Sequence, residues 1–233
     1  AWDEAQSTIQ RALDLDPNLV DALWYMAEWQ GVIAGNTDLG LEYTARARRL
    51  DPYSPSIPIV TSWVLMTGGR FAEAEPYMRA LAAMDPGNLD AQQGLITILG
   101  LTGRADEATE FVESALATQP QPYPPTLAAH LARAGHVERA REILASAVAR
   151  KESGGSVPAS GIAAAYAALG DIEEALDWLE RSFANEGGVY YLRSYDFAPL
   201  AGEPRFQALW DRVGLYGHHW ALDMAVETRA GGG

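Results

Sequence analysis

The sequence predicts an all-α array of stacked helix pairs, and three observations carry that expectation. The proline of an Asp-Pro or Gln-Pro pair recurs at Pro17, Pro52, Pro86 and Pro120, a spacing of ~34 residues that marks a repeat architecture. Ahead of each proline, apolar residues fall at helical intervals, as Ala5, Ile9 and Ala12 do. A glycine turn splits each unit at Gly35-Asn36, Gly69-Arg70 and Gly103-Arg104. The unit is helix, glycine turn, helix, Asp-Pro turn.

The elements follow in order. Proline ends the second helix of a unit because it lacks an N–H and clashes with the preceding turn. This predicts helices from Trp2 towards Leu15, from Phe71 to Met84 and from Ala105 to Thr118. One extra residue near Gly35 leaves the register of the second unit open. Pro76 falls inside a predicted helix and should kink it or delay its start. The prolines between Pro120 and Pro125 shorten the next helix, since they fit only its first turn. Two further units lack the closing proline: Gly135 to Ala140 with Leu144 and Ala147, and Gly170 to Ala175 with Leu179 and Ser182. Residues 153–160 are a flexible connector by composition and mark a soft boundary. Last comes a short amphipathic helix opened by Pro204, bearing Phe206, Leu209, Trp210 and Val213, and closed by Gly214. It caps the last apolar face of the array. The expected organisation is 1–152 repeats, 153–160 connector, 161–215 last repeat and capping helix, and 216–233 a partly disordered tail.

This unit closely resembles the tetratricopeptide repeat family. The family's second-helix signature is nearly complete in Trp2-Asp3-Glu4-Ala5 and Ala12-Leu13-Asp14-Leu15-Asp16-Pro17. Its small contact residues correspond to Ala27, Ser62, Ala74, Ala108 and Ala115, whereas Ile96 departs and should splay its repeat. The resemblance spans residues 2 to about 184, a half-repeat plus five pairs. It implies a right-handed helical-hairpin solenoid whose first (A) helices line a concave groove. The C-terminal segment is similar to the tail that follows repeats in multidomain bacterial signalling proteins. The chain starts inside a repeat without methionine, so an upstream continuation is expected.

Composition excludes several functions. Acids outnumber bases 31 to 17, which argues against nucleic-acid binding through phosphate neutralisation. The excess is heavier over residues 1–120, which suits a basic partner there. Solvated acidic helix faces explain the same excess without a partner. With no cysteine, disulfides, thiol catalysis and cysteine-ligated zinc are excluded. No apolar run reaches the ~20 residues of a membrane span. The cytoplasm is the expected compartment, or the periplasm if the chain belongs to a membrane-anchored protein. Phosphate loops and nucleophile motifs are absent. His219, Asp223 and Glu227 share a helical face, but no second cluster completes a metal shell, so neither metal nor cofactor is expected. The chain reads as a non-enzyme.

Binding is the remaining chemistry. Counted from the Asp-Pro turns, the inward positions include Asp21, Trp24 and Glu28, then Ser56, Ile59, Trp63 and Met66, then Asp90, Gln93 and Thr97. Trp24, Glu28, Trp63, Asp90 and Gln93 are the candidate peptide-binding residues. Tryptophans flanked by acids and amides can grip an extended or helical peptide, and would stack on an arginine of a basic or aromatic partner. Either tryptophan could instead be core. Family members that capture chaperone C-termini use a Lys/Asn/Arg clamp; Trp24, Glu28, Val60, Asp90 and Gly94 stand at those places and would repel an acidic tail. The expected function is a scaffold that holds a partner segment in its groove. The alternative is a regulatory region of a longer bacterial signalling protein, a transcription regulator, cyclase or kinase, with its effector domain upstream.

Overall fold

The computed structural model describes residues 2–118, 124–186, 192 and 194–213. Among them, helices follow one another as A/B pairs with no strand. α1 (Trp2–Leu15) is a B-type helix. The pairs are α2 (Val20–Glu28) with α3 (Thr37–Leu50), α4 (Ser56–Thr67) with α5 (Phe71–Met84), and α6 (Leu89–Leu101) with α7 (Ala105–Thr118). Then come α8 (Pro125–Arg133) with α9 (Val137–Glu152), and α10 (Ala159–Leu169) with α11 (Ile172–Asn185). A 3-10 segment (Tyr195–Leu200) leads to α12 (Pro204–Val213). This is an all-α tetratricopeptide-type solenoid.

The Asp-Pro signature works through both of its residues. α1, α3 and α5 end at Leu15, Leu50 and Met84, two residues before their prolines. The aspartate then turns the chain: Asp16, Asp51 and Asp85 each accept a side-chain bond from the backbone N–H two residues on, at 2.9, 3.2 and 3.0 Å. Such Asx turns make up for backbone bonds lost at the helix end. The glycine turn is equally regular. Gly35, Gly69, Gly103, Gly135 and Gly170 all have φ between 74° and 86°, a left-handed conformation open to glycine without a Cβ penalty. The next residue bonds back into the A helix, as Arg70 N–H does to Leu65 (2.8 Å) and Arg104 N–H to Leu99 (2.8 Å), closing a Schellman cap.

The extra residue near Gly35 is absorbed by a π-helical turn, Trp29–Ile33, inserted between α2 and Gly35. One added residue widens a single turn, and the pairing of α2 with α3 survives. Backbones approach closely here. A Cβ on Gly31 would lie 2.5 Å from the Val64 side chain, and one on Gly40 would lie 2.9 Å from the Gly31 Cα.

Ala27, Ser62, Ala74 and Ala108 are fully buried where helices touch. Ile96 is also fully buried, and α6 packs along α7 like the other pairs, with the larger side chain taken into the core. Pro76 neither delays α5 nor interrupts it. α8 is short and has proline in its first turn. Residues 153–158 join α9 to α10; Val157 is buried and α10 packs on α8 and α9. One core cluster runs from Leu65 to Trp210, while smaller clusters occupy the first repeats. α12 turns Phe206, Leu209 and Trp210 inward. Arg205 fixes it to α11 through Glu173 (3.0 Å), Asp177 (2.7 Å) and Glu180 (2.9 Å).

Candidate functional site

The A helices converge on a cavity of about 370 Å³. Glu28 ends α2 at its rim. Trp63 and Met66 come from α4, Asp90, Gln93 and Gly94 from α6, His130 from α8 and Ala164 from α10. Among the described residues none from a B helix lines it. The repeat geometry accounts for this, since each A helix presents the same stripe to the inside of the curve. The structure thus gathers four of the five candidate residues, Glu28, Trp63, Asp90 and Gln93, in one place.

Trp24 is not among the walls of that cavity. It is half-buried against the cluster of Ala27, Val32, Val60 and Val64. Its ring stacks on Tyr25 with centroids 3.7 Å apart, and its indole N–H donates to Asp21 at 3.2 Å. Trp63 differs, remaining 39% exposed.

Glu28 and Asp90 set the electrostatics of this end. Each carboxyl is held above its ordinary value, and desolvation is the cause in both cases. Among the described residues neither has an ion-pair or hydrogen-bond partner.

The opposite wall is a part of the chain that the repeat pattern does not reach. Ser194 to Phe197, entering the 3-10 segment, lie along the cavity and against α10. Asp196 stands 2.5 Å from the guanidinium of Arg133, at the end of α8. Burial opposes ionisation of Asp196, yet the charges of Arg133 and His130 and the Ser194 bond (2.6 Å) hold it below its ordinary value. The Tyr195 hydroxyl bonds to Thr97 of α6 and is pushed up by burial and then by Asp196. Arg133 also lies over the Tyr195 ring, 5.4 Å from its centroid. Thr97 meets His130 Nδ1 at 2.6 Å. Burial, then the Arg133 charge, lowers the imidazole to about 4 against the pull of Asp196, so it is neutral at pH 7.

Thr97 was legible as an inward position. Arg133, Tyr195 and Asp196 were not, and His130 stood out only as one histidine of four. The available signal was Tyr195-Asp196-Phe197, an acid between aromatics in a stretch without helical periodicity. His219, Asp223 and Glu227, the segment 216–233 and Gly214 lie outside the described residues. Among the described residues no group of three or more His, Asp or Glu side chains is placed to hold a metal ion. No helix among them is long and apolar enough to cross a membrane.

The stacked A/B helix pairs form a solenoid of the tetratricopeptide type, the architecture of protein-interaction scaffolds. Residues 65–131 and 158–181 match family models described as tetratricopeptide repeat. The chain is similar to cellulose synthase operon protein C of Pseudomonas fluorescens (strain SBW25), with 26% identity over 192 residues. That alignment covers 77% of this chain and 15% of the relative's length. A solved structure, Naa15/Naa10 bound to HypK-THB, aligns at 19% identity and a TM-score of 0.45, covering 97% of this chain and 37% of that one.

Proposed function

We propose that the chain is a non-catalytic scaffold that binds an extended or helical segment of a partner protein in the groove lined by its A helices. One observation carries this reading: a half-exposed tryptophan, two carboxylates without a partner among the described residues and an amide share one cavity. Such a site can recognise a ligand, and the Ser194 hydroxyl on its wall is held by Asp196, which is itself paired with Arg133. Trp63 is the anchor, with Glu28, Asp90 and Gln93 selecting what lies beside it. Trp24 flanks the groove and supports it through the Val60 cluster.

The test is selection of binders from a random displayed peptide library, followed by substitution. Trp63→Ala should abolish capture of the selected peptides and leave helicity unchanged. Loss of helicity in that variant would place Trp63 in the core and remove the groove. An acidic peptide with the character of a chaperone C-terminus should not bind, because Glu28 and Asp90 repel it; micromolar binding in a titration would contradict the site.

A further inference from the structure

We infer that the cavity receives the guanidinium of an arginine on the bound segment, set against Trp63 in a space that the carboxylates of Glu28 and Asp90 line. The inference rests on the groove reading above and adds the chemistry of the occupant.

Many carboxylates of the described structure, Asp196 of the cavity wall among them, are answered by cations. Arg70 meets Asp38 (2.9 Å), Arg104 meets Glu75 (2.7 Å), Arg141 meets Asp171 (2.8 Å) and Arg133 meets Asp196 (2.5 Å). Glu28 and Asp90 are the exception within the cavity, and their desolvation is uncompensated. Among the described residues no lysine or arginine lines the cavity, and the imidazole there, His130, is uncharged at neutral pH. Two carboxylates, Glu28 half-buried and Asp90 exposed at its surface, therefore line the same space. An incoming cation recovers that desolvation cost, which a neutral or anionic group cannot do.

The remaining walls favour arginine over other cations. An indole ring that is 39% exposed offers a stacking face, and a planar, weakly hydrated guanidinium uses such a face better than an ammonium does. Gln93 supplies an amide oxygen for a further N–H. Val32 and Met66 are apolar walls for the methylene stem. At about 370 Å³ the cavity is at the small end of ligand pockets, which run ~300–1,000 Å³. Residues 194–197 close its far side. It suits one long side chain inserted from the groove.

The experiment uses the full chain and peptides selected from the random library. Each arginine-bearing binder is compared with the same peptide carrying citrulline, which keeps the shape and loses the charge, and with one carrying lysine. Arginine peptides should bind ~10-fold or more tightly than citrulline peptides, as expected for charge-assisted bonds, with lysine between them. Glu28→Gln and Asp90→Asn should each shrink the arginine-to-citrulline ratio while leaving the circular dichroism spectrum unchanged. Equal binding of citrulline peptides, or selected binders that reach Trp63 without a cation, would overturn the arginine inference and leave the groove standing. A selection that yields no peptide sensitive to Trp63→Ala would overturn both.

Discussion

The two ends of the A-helix surface have opposite electrostatic states. Near α8 and α10 the inner face is covered by the chain's own residues 194–197, and charge is matched: Arg133 meets Asp196, while Thr97 bonds both His130 and Tyr195. Near α2, α4 and α6 the same kind of face carries Glu28, Asp90 and Trp63 without a partner among the described residues. The covered end shows what the surface looks like when a segment with an aromatic and a charge lies on it. The uncovered end is the same scaffold with its polar groups unanswered. Matched groups stabilise the fold, whereas unmatched desolvated ones cost it stability, and in the proposed function a ligand answers them.

The largest effect should come from breaking the matched end. Asp196→Ala leaves Arg133 buried without its partner and should cost about 3 kcal/mol. Urea unfolding would measure the loss, and limited proteolysis should show earlier cleavage around residues 194–200. A mutant as stable as the parent would mean that this segment lies loosely on the solenoid.

Acidification separates the two ends next. His130 is depressed to about 4 and Asp196 is also held low, so each binds fewer protons folded than unfolded. The His130 contribution is full above the unfolded imidazole value of ~6.5 and is lost as pH falls through that window towards 4, whereas that of Asp196 is lost only below the ordinary carboxylate value of ~3.9. The slope from one such group is at most about 1.4 kcal/mol per pH unit. Tyr195 faces the same cluster and, pushed up by burial, stays neutral over this range; the Arg133 guanidinium lies over its ring. Glu28 and Asp90 are shifted upward and act with the opposite sign: they weaken the fold once ionised, and protonation on acidification relieves them. Thermal melts from pH 7 to pH 4.5 should therefore fall, and His130→Gln, which removes the depressed imidazole, should flatten the decline, whereas Asp90→Asn should not.

A third perturbation strikes the backbone of the open end. Gly31→Ala would drive a Cβ to 2.5 Å from the Val64 side chain, and overpacking of this kind costs about 1–3 kcal/mol. Hydrogen exchange should report the damage in α2 to α4 and leave α8 to α11 protected. The smallest effect on stability belongs to the binding residues. Glu28→Gln and Asp90→Asn should leave the melting temperature unchanged or slightly higher, since each removes an unmatched desolvated charge. A clear destabilisation by either would mean that the carboxylate already serves the fold.

Much of this contrast is visible in the amino-acid sequence, and the limits of that legibility are physical. The repeat was legible because the same local chemistry recurs: Asx turns at Asp16, Asp51 and Asp85, and left-handed glycines at Gly69, Gly103, Gly135 and Gly170. Inward positions followed from counting, so Glu28, Trp63, Asp90 and Gln93 could be grouped. The π turn was legible only as one surplus residue, because spacing records an insertion and not the turn that absorbs it. The covered end was not legible at all. Arg133 and Asp196 are 63 positions apart by residue number, and their meeting depends on the path of a non-periodic segment. Trp24 showed the remaining ambiguity: a tryptophan on an A helix can face the groove or the neighbouring helix, and composition does not distinguish the two.

The central claim is that a partner segment lies against Trp63 at the uncovered end. Seven tryptophans occur in the chain, and their indole N–H resonances can be followed separately by nuclear magnetic resonance. Titration with a library-selected peptide should shift the Trp63 resonance saturably and leave those of Trp178 and Trp210, on the α11–α12 side, in place. Movement of Trp178 or Trp210 with Trp63 unmoved would put the partner elsewhere and contradict the account.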